Sequence, residues 1–190
     1  IIVLRRHDEY FASQYKRFVK NGFTGGLNDF LDLEDDSGFF KKTHFSFKHQ
    51  INILKEHFSK KPIVLFYHDL KSNPKKFIAD LCFYTNSTIN IESVNFSSKH
   101  RSYSEKQLKT IKVVSKYFDL RKRRLFNNTL FHLIWRFYLS IFRYSVLYLS
   151  FLVPKFLYSR EPLIDPDYLT KIKDYFNEDW ESCLTYKNVK

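Results

Sequence analysis

The chain has 190 residues, a length that one domain with its own core accommodates, and 44% hydrophobic with 27% charged residues exclude a disordered chain. A net charge of +12 excludes a neutral surface and implies an anionic partner: a phosphorylated cofactor, a membrane surface, an acidic polysaccharide or nucleic acid. Two cysteines, Cys82 and Cys183, exclude a disulfide framework and a cysteine metal site; they read as buried thiols, with a single bridge and the compartment left open.

Ile1–Leu4 is an apolar run of branched residues, the pattern of a strand covered on both faces. A chain that opens inside such a strand and contains no Met is expected to be a piece whose N-terminal part lies upstream, with any targeting signal there. After Arg5-Arg6-His7, Asp8 or Glu9 starts a helix to about Lys20, with Tyr10, Phe11, Tyr15, Phe18 and Val19 on its apolar side. Asn21-Gly22 stops it and Gly25-Gly26 marks a turn. Residues 28–38 form an acidic loop. Its Asp32-x-Glu34-x-Asp36 spacing resembles a calcium loop, but Ser37 and Thr43 replace the required Gly and closing Glu, so no metal ligands are assigned.

Phe45–Phe58 carries Phe47, Ile51, Leu54 and Phe58 at helical spacing, Lys60-Lys61-Pro62 breaks it, and Ile63–Tyr67 reads as a second buried strand. Ser72-Asn73-Pro74 supplies a cap and a Pro at the first helical position, ahead of Phe77, Ile78, Leu81 and Tyr84. Residues 89–96 read as extended or loop, and Ser104 with Gln107 forms a capping box before Leu108, Ile111 and Tyr117. Arg121-Lys122-Arg123-Arg124 then leads into the aromatic and aliphatic stretch 125–158. Arg136, Arg143 and Lys155 interrupt it, so it lacks the ~20 apolar residues of a simple span. On a helix His132, Arg136, Ser140 and Arg143 share a face, with Leu133, Ile134, Phe137, Tyr138, Ile141 and Phe142 on the other sides. That pattern fits a helix lying in a membrane interface or one covering a core or partner; dense aliphatics without a β-platform motif argue against nucleic acid. Asp165-Pro166 repeats the cap-plus-Pro signature before Tyr168, Leu169, Ile172 and Phe176.

Arg5 at a strand end offers phosphate oxygens a planar, bidentate fork, at the place where α/β proteins hold phosphates. Ser13, eight residues on, adds a hydroxyl. The run Ile2-Val3-Leu4-Arg5 through Ser13-Gln14-Tyr15 resembles a cofactor motif of the sulfotransferase family: a hydrophobic strand, an Arg, and a Ser eight places later followed by an aromatic. Ile63-Val64-Leu65-Phe66-Tyr67-His68-Asp69-Leu70 with Pro74 is similar to the family's Tyr-Glu-Asp-Leu-x-x-x-Pro segment. Tyr175-Phe176-Asn177-Glu178-Asp179-Trp180 with Leu184 is similar to its terminal motif. The likeness covers roughly residues 1–118 and 162–186.

The resemblance implies a three-layer α/β fold with a parallel sheet, of the P-loop-NTPase-like sulfotransferase kind, as a single partial domain over 1–190, N-terminally incomplete, with 121–160 as an added amphipathic helical insertion. It implies that Arg5 and Ser13 bind the 3′-phosphate of 3′-phosphoadenosine-5′-phosphosulfate. It further implies in-line sulfuryl transfer to a hydroxyl or amine of a carbohydrate or lipid-linked acceptor, without a metal, by positioning and charge neutralisation. The sequence departs from the family in having His7 where Pro is usual, His68 where Glu is usual, and no Gly-rich phosphosulfate loop bearing a Lys. That loop and the catalytic base are expected upstream of Ile1, so no catalytic residue is assigned and this chain alone is expected to be inactive. His7, His44, His49, His68 and His100 show no nucleophile or metal spacing. The competing expectation is a non-catalytic basic module that docks on anionic membranes through 121–158, as a peripheral membrane protein. Neither expectation involves nucleic acid.

Overall fold

The computed structural model describes residues 1–97, 102–121, 123–154 and 161–188. His100, Lys122, Lys155 and Tyr158 lie outside the described residues, as does the end of the 121–160 insertion. In chain order the elements are β1 (Ile2–Leu4), α1 (His7–Lys20), α2 (Leu27–Phe30), α3 (Lys42–Phe45), α4 (Phe47–His57) and β2 (Val64–Phe66). They continue with α5 (Tyr67–Ser72), α6 (Pro74–Thr85), α7 (Glu105–Tyr117), α8 (Thr129–Leu149), α9 (Pro166–Tyr175) and α10 (Asn177–Leu184).

The expected three-layer α/β fold with a parallel sheet is not what forms. Helix accounts for 64% and strand for 5% of the described residues, and the one sheet among them has two strands. The physical reason lies in the strand supply. Only the two short branched runs have strand character, and each contributes three paired residues: Ile2 to Val64, Val3 to Leu65 and Leu4 to Phe66, in parallel. The remaining apolar residues recur at helical spacing and go into helices. The covering differs too: β2 is buried throughout, but Val3 of β1 is 48% exposed, so β1 is not covered on both faces.

The chain divides into two compact units. The first comprises residues 1–10, 31–101 and 170–190. Its core holds Leu4, Phe47, Ile51, Val64, Phe66 and Cys183, with Trp180 and Tyr186 packed against it. The helices start where the sequence places caps: Ser46 Oγ accepts from the His49 amide at the head of α4, and Asn73 Oδ1 accepts from Lys76 ahead of Pro74 in α6. Ser46 also divides the expected Phe45–Phe58 helix into α3 and α4. Cys82 and Cys183 are both free thiols; burial pushes Cys183 up to about 11.

The second unit comprises residues 11–30 and 102–169. Phe11, Tyr15 and Phe30 are fully buried in an aromatic cluster with Phe18, Phe23 and Tyr168. Helix α7 opens on the Ser104–Gln107 capping box and packs against α8, with the Gln107 side chain donating to the Leu147 carbonyl at 3.1 Å.

The Asn21-Gly22 stop has a specific geometry. Gly22 N–H donates to Val19 and Phe23 N–H to Phe18, each at 3.0 Å, the paired bonds of a Schellman motif. Gly22 has φ +99°, and a Cβ there would fall 3.0 Å from Leu120 C and Arg121 N. Gly22→Ala is therefore expected to cost about 1–3 kcal/mol, since left-handed strain and a backbone clash add. Urea denaturation measures it, and a loss within ~0.5 kcal/mol of zero contradicts this account.

Candidate anion-binding site

Because Leu4 pairs with Phe66, the two parallel strands end side by side and deliver Arg5 and Tyr67 to the same carboxyl edge. The Arg5 guanidinium carbon lies 4.7 Å from the centre of the Tyr67 ring, a cation–π distance. Helix α5 starts at Tyr67, so Lys71 is one turn further along the same helix face, and its Nζ is 5.2 Å from the same ring centre. Two cations thus lie against the same aromatic ring. Glu9, in the first turn of α1, accepts from Arg5 Nε at 3.0 Å and orients the guanidinium. Among the described residues the Arg5 Nη groups make no hydrogen bond, and the side chain is 30% exposed.

The neighbouring basic residues are committed elsewhere. Arg6 is held by Asp8 through two bonds of 2.7 and 2.8 Å. Burial raises the Asp8 carboxyl, but the hydrogen bond and charge of Arg6 outweigh it and leave it below its ordinary value. Lys187 donates to Asp69 at 2.8 Å, and His68 is exposed. His7 does not face the edge: it is buried, stacked on Phe47 at 4.2 Å and on Phe176 at 4.8 Å.

His7 belongs to a lock built by the terminal motif. Asp179 of α10 accepts from His7 Nε2 (3.1 Å), Ser46 Oγ (2.6 Å) and the amides of Phe47 (2.9 Å) and Lys48 (3.2 Å). An ionised carboxylate only accepts, so Nε2 carries the ring proton. Burial raises the Asp179 carboxyl, but those bonds outweigh it and hold it below the usual carboxylate range. This lock ties the start of α1 and the head of α4 to α10, and so fixes the turn that carries Arg5.

Of the two residues expected to bind phosphate, Arg5 is in the first unit and Ser13 in the second. Ser13 is exposed on α1. The residue that the sequence reading passed over is Lys71; its signal was the four-residue spacing from Tyr67 inside the quoted motif. Asp32 accepts from the Ser37 hydroxyl at 2.6 Å and from the amides of Glu34, Asp35 and Ser37, which bring its carboxyl down to about 2.

Comparison with protein-family models, with curated proteins and with solved structures returns no match for this chain.

Proposed function

We propose that the carboxyl edge of the two-stranded sheet grips the 3′-phosphate of an adenosine phosphosulfate donor, and that the chain is the donor-gripping part of a sulfotransferase. The observation that carries the reading is the convergence of Arg5 and Lys71 on the Tyr67 ring. Two positive charges against one ring favour an anion beside them, and Glu9 offsets only the charge of Arg5. A phosphate there accepts from the open Nη edge of Arg5 and neutralises Lys71. The site sits where two parallel strands end and helix α5 begins.

The motif resemblance supplies the rest of the reading: 3′-phosphoadenosine-5′-phosphosulfate as donor, and a hydroxyl or amine of a carbohydrate or lipid-linked molecule as acceptor. The residues fit a phosphate. They offer a fork, a point charge and an aromatic face, and none of them is placed as a base. In this reading the chain's own part is binding and orientation, and transfer needs a phosphosulfate loop, which this sequence does not contain, and a base, for which no residue is assigned.

Titration calorimetry with adenosine 3′,5′-bisphosphate tests the proposal. Arg5→Ala removes a charge-assisted bond worth about 1.5–3 kcal/mol, so affinity is expected to fall roughly 10- to 100-fold. Lys71→Ala should weaken it several-fold, and adenosine 5′-monophosphate, which lacks the 3′-phosphate, should be indifferent to both changes. Equal affinity of parent and Arg5→Ala for the bisphosphate, or no binding by the parent, overturns the assignment.

A further inference from the structure

Helix α8 is turned inside out relative to an ordinary surface helix. Leu130, Ile134, Phe137, Ile141, Tyr144 and Tyr148 follow one another by steps of four and three, and every one is between 44% and 69% exposed. At 1.5 Å per residue the stripe runs roughly 27 Å. The polar side that the sequence pattern assigned to solvent or headgroups is in part turned inward. Arg143 is only 4% exposed, and its terminal nitrogens donate to the Leu120 carbonyl at 2.5 Å and to Asn21 at 3.3 Å. A contiguous apolar stripe of this length marks an interaction surface.

Charge selects the occupant. From Arg121 to Arg160 the sequence holds eight Lys and Arg and no Asp or Glu. Arg121, Arg123 and Arg124, all exposed, stand just before α8, and among the described residues Asp119, behind them, pairs with two of them. A second copy of this chain laid on the stripe would bring the same positive segment against itself. An anionic lipid surface brings the opposite charge together with an apolar layer. Among the described residues no helix is long and apolar enough to cross a membrane.

We infer that α8 lies in the plane of an anionic membrane surface, with the Leu130–Tyr148 stripe at the boundary between headgroups and acyl chains and Arg121, Arg123 and Arg124 among the headgroups. Tyr144 and Tyr148 suit that depth, with an apolar ring and a hydroxyl that reaches water. Attraction and burial act together in such helices.

Vesicle flotation decides the matter. The protein is expected to float with phosphatidylcholine vesicles containing about a quarter phosphatidylserine at low salt, and at least tenfold less with pure phosphatidylcholine. Phe137→Asp with Ile141→Asp should abolish flotation; both side chains are exposed, and an unchanged circular dichroism spectrum and melting temperature verify the fold. Arg123→Glu with Arg124→Glu should weaken it by roughly tenfold or more. Arg5→Ala should float like the parent, which separates this result from the donor site. No flotation with anionic vesicles, flotation indifferent to the aspartates, or a dimer in sedimentation equilibrium that the aspartates dissociate would each overturn the inference, the last in favour of a second copy.

Discussion

Asp179→Ala is expected to lower stability by about 3 kcal/mol, because it strands four donors around one half-buried acceptor. His7 Nε2, Ser46 Oγ and the Phe47 and Lys48 amides all lose their partner, and His7 is already pressed between Phe47 and Phe176 with no route to water. For a chain of this size the loss corresponds to a melting temperature lower by roughly 6–12 °C. Asp179→Asn keeps one acceptor oxygen but forfeits the charge, so it should fall between the two. Denaturation followed by tryptophan fluorescence in a Trp135→Phe background, which leaves Trp180 with its ring 5.5 Å from that of Phe66 and against His7, reads the first unit.

The same substitution has a pH signature. The folded carboxyl of Asp179 is lowered, so its contribution is fully present above the unfolded value of about 3.9 and is lost as pH falls through the lowered folded value. The gap between parent and Asp179→Ala should be widest at neutral pH and shrink in acid. A gap of equal size in both conditions would mean that lost packing, not the acceptor network, is responsible.

Phe30→Ala should be at least as damaging, with a loss of about 3–5 kcal/mol. Phe30 is 0% exposed, and its ring meets those of Phe11, Tyr15, Phe18 and Phe23 at 5.3 to 5.6 Å between centres, all steeply inclined edge contacts. Helix α2 is a single turn; burial of this ring is what fastens it. Beside the ring, Tyr15 donates to the Gly25 carbonyl at 3.0 Å and accepts from Lys112 at 2.7 Å, and burial, with Asp29 nearby, pushes its hydroxyl up to about 12. Loss of Phe30 opens a cavity against that polar anchor. Phe30→Leu, which fills most of the space, should cost under about 1.5 kcal/mol. Thermal melts of both variants test the contrast; equal melting of Ala and Leu variants would show that the site collapses freely.

The motif resemblance and the fold part company at a definite point. The quoted segments are local: a strand, a turn and a helix each time. They form as local units in β1 with α1 and in β2 with α5 and α6. The step from those units to a three-layer sheet required further strands, and the described residues hold only two. Arg5 keeps its place at a strand end all the same, because three residues of parallel pairing are enough to align Leu4 with Phe66.

Near-neighbour patterns in the chain determined the local structure of this protein. The cap at Asn73 before Pro74, the Ser104–Gln107 box, the Gly22 stop and the apolar spacing of α4, α7 and α9 depend on residues within a turn or two of each other. Only tertiary structure decided the rest. Asp179 meets Ser46 and His7 across 133 and 172 positions, and Lys71 joins Arg5 because two strands end together. The direction in which α8 turns its polar side is set by Leu120 and Asn21. Periodicity states that a helix has two faces; which face is buried depends on the partners that folding brings to it.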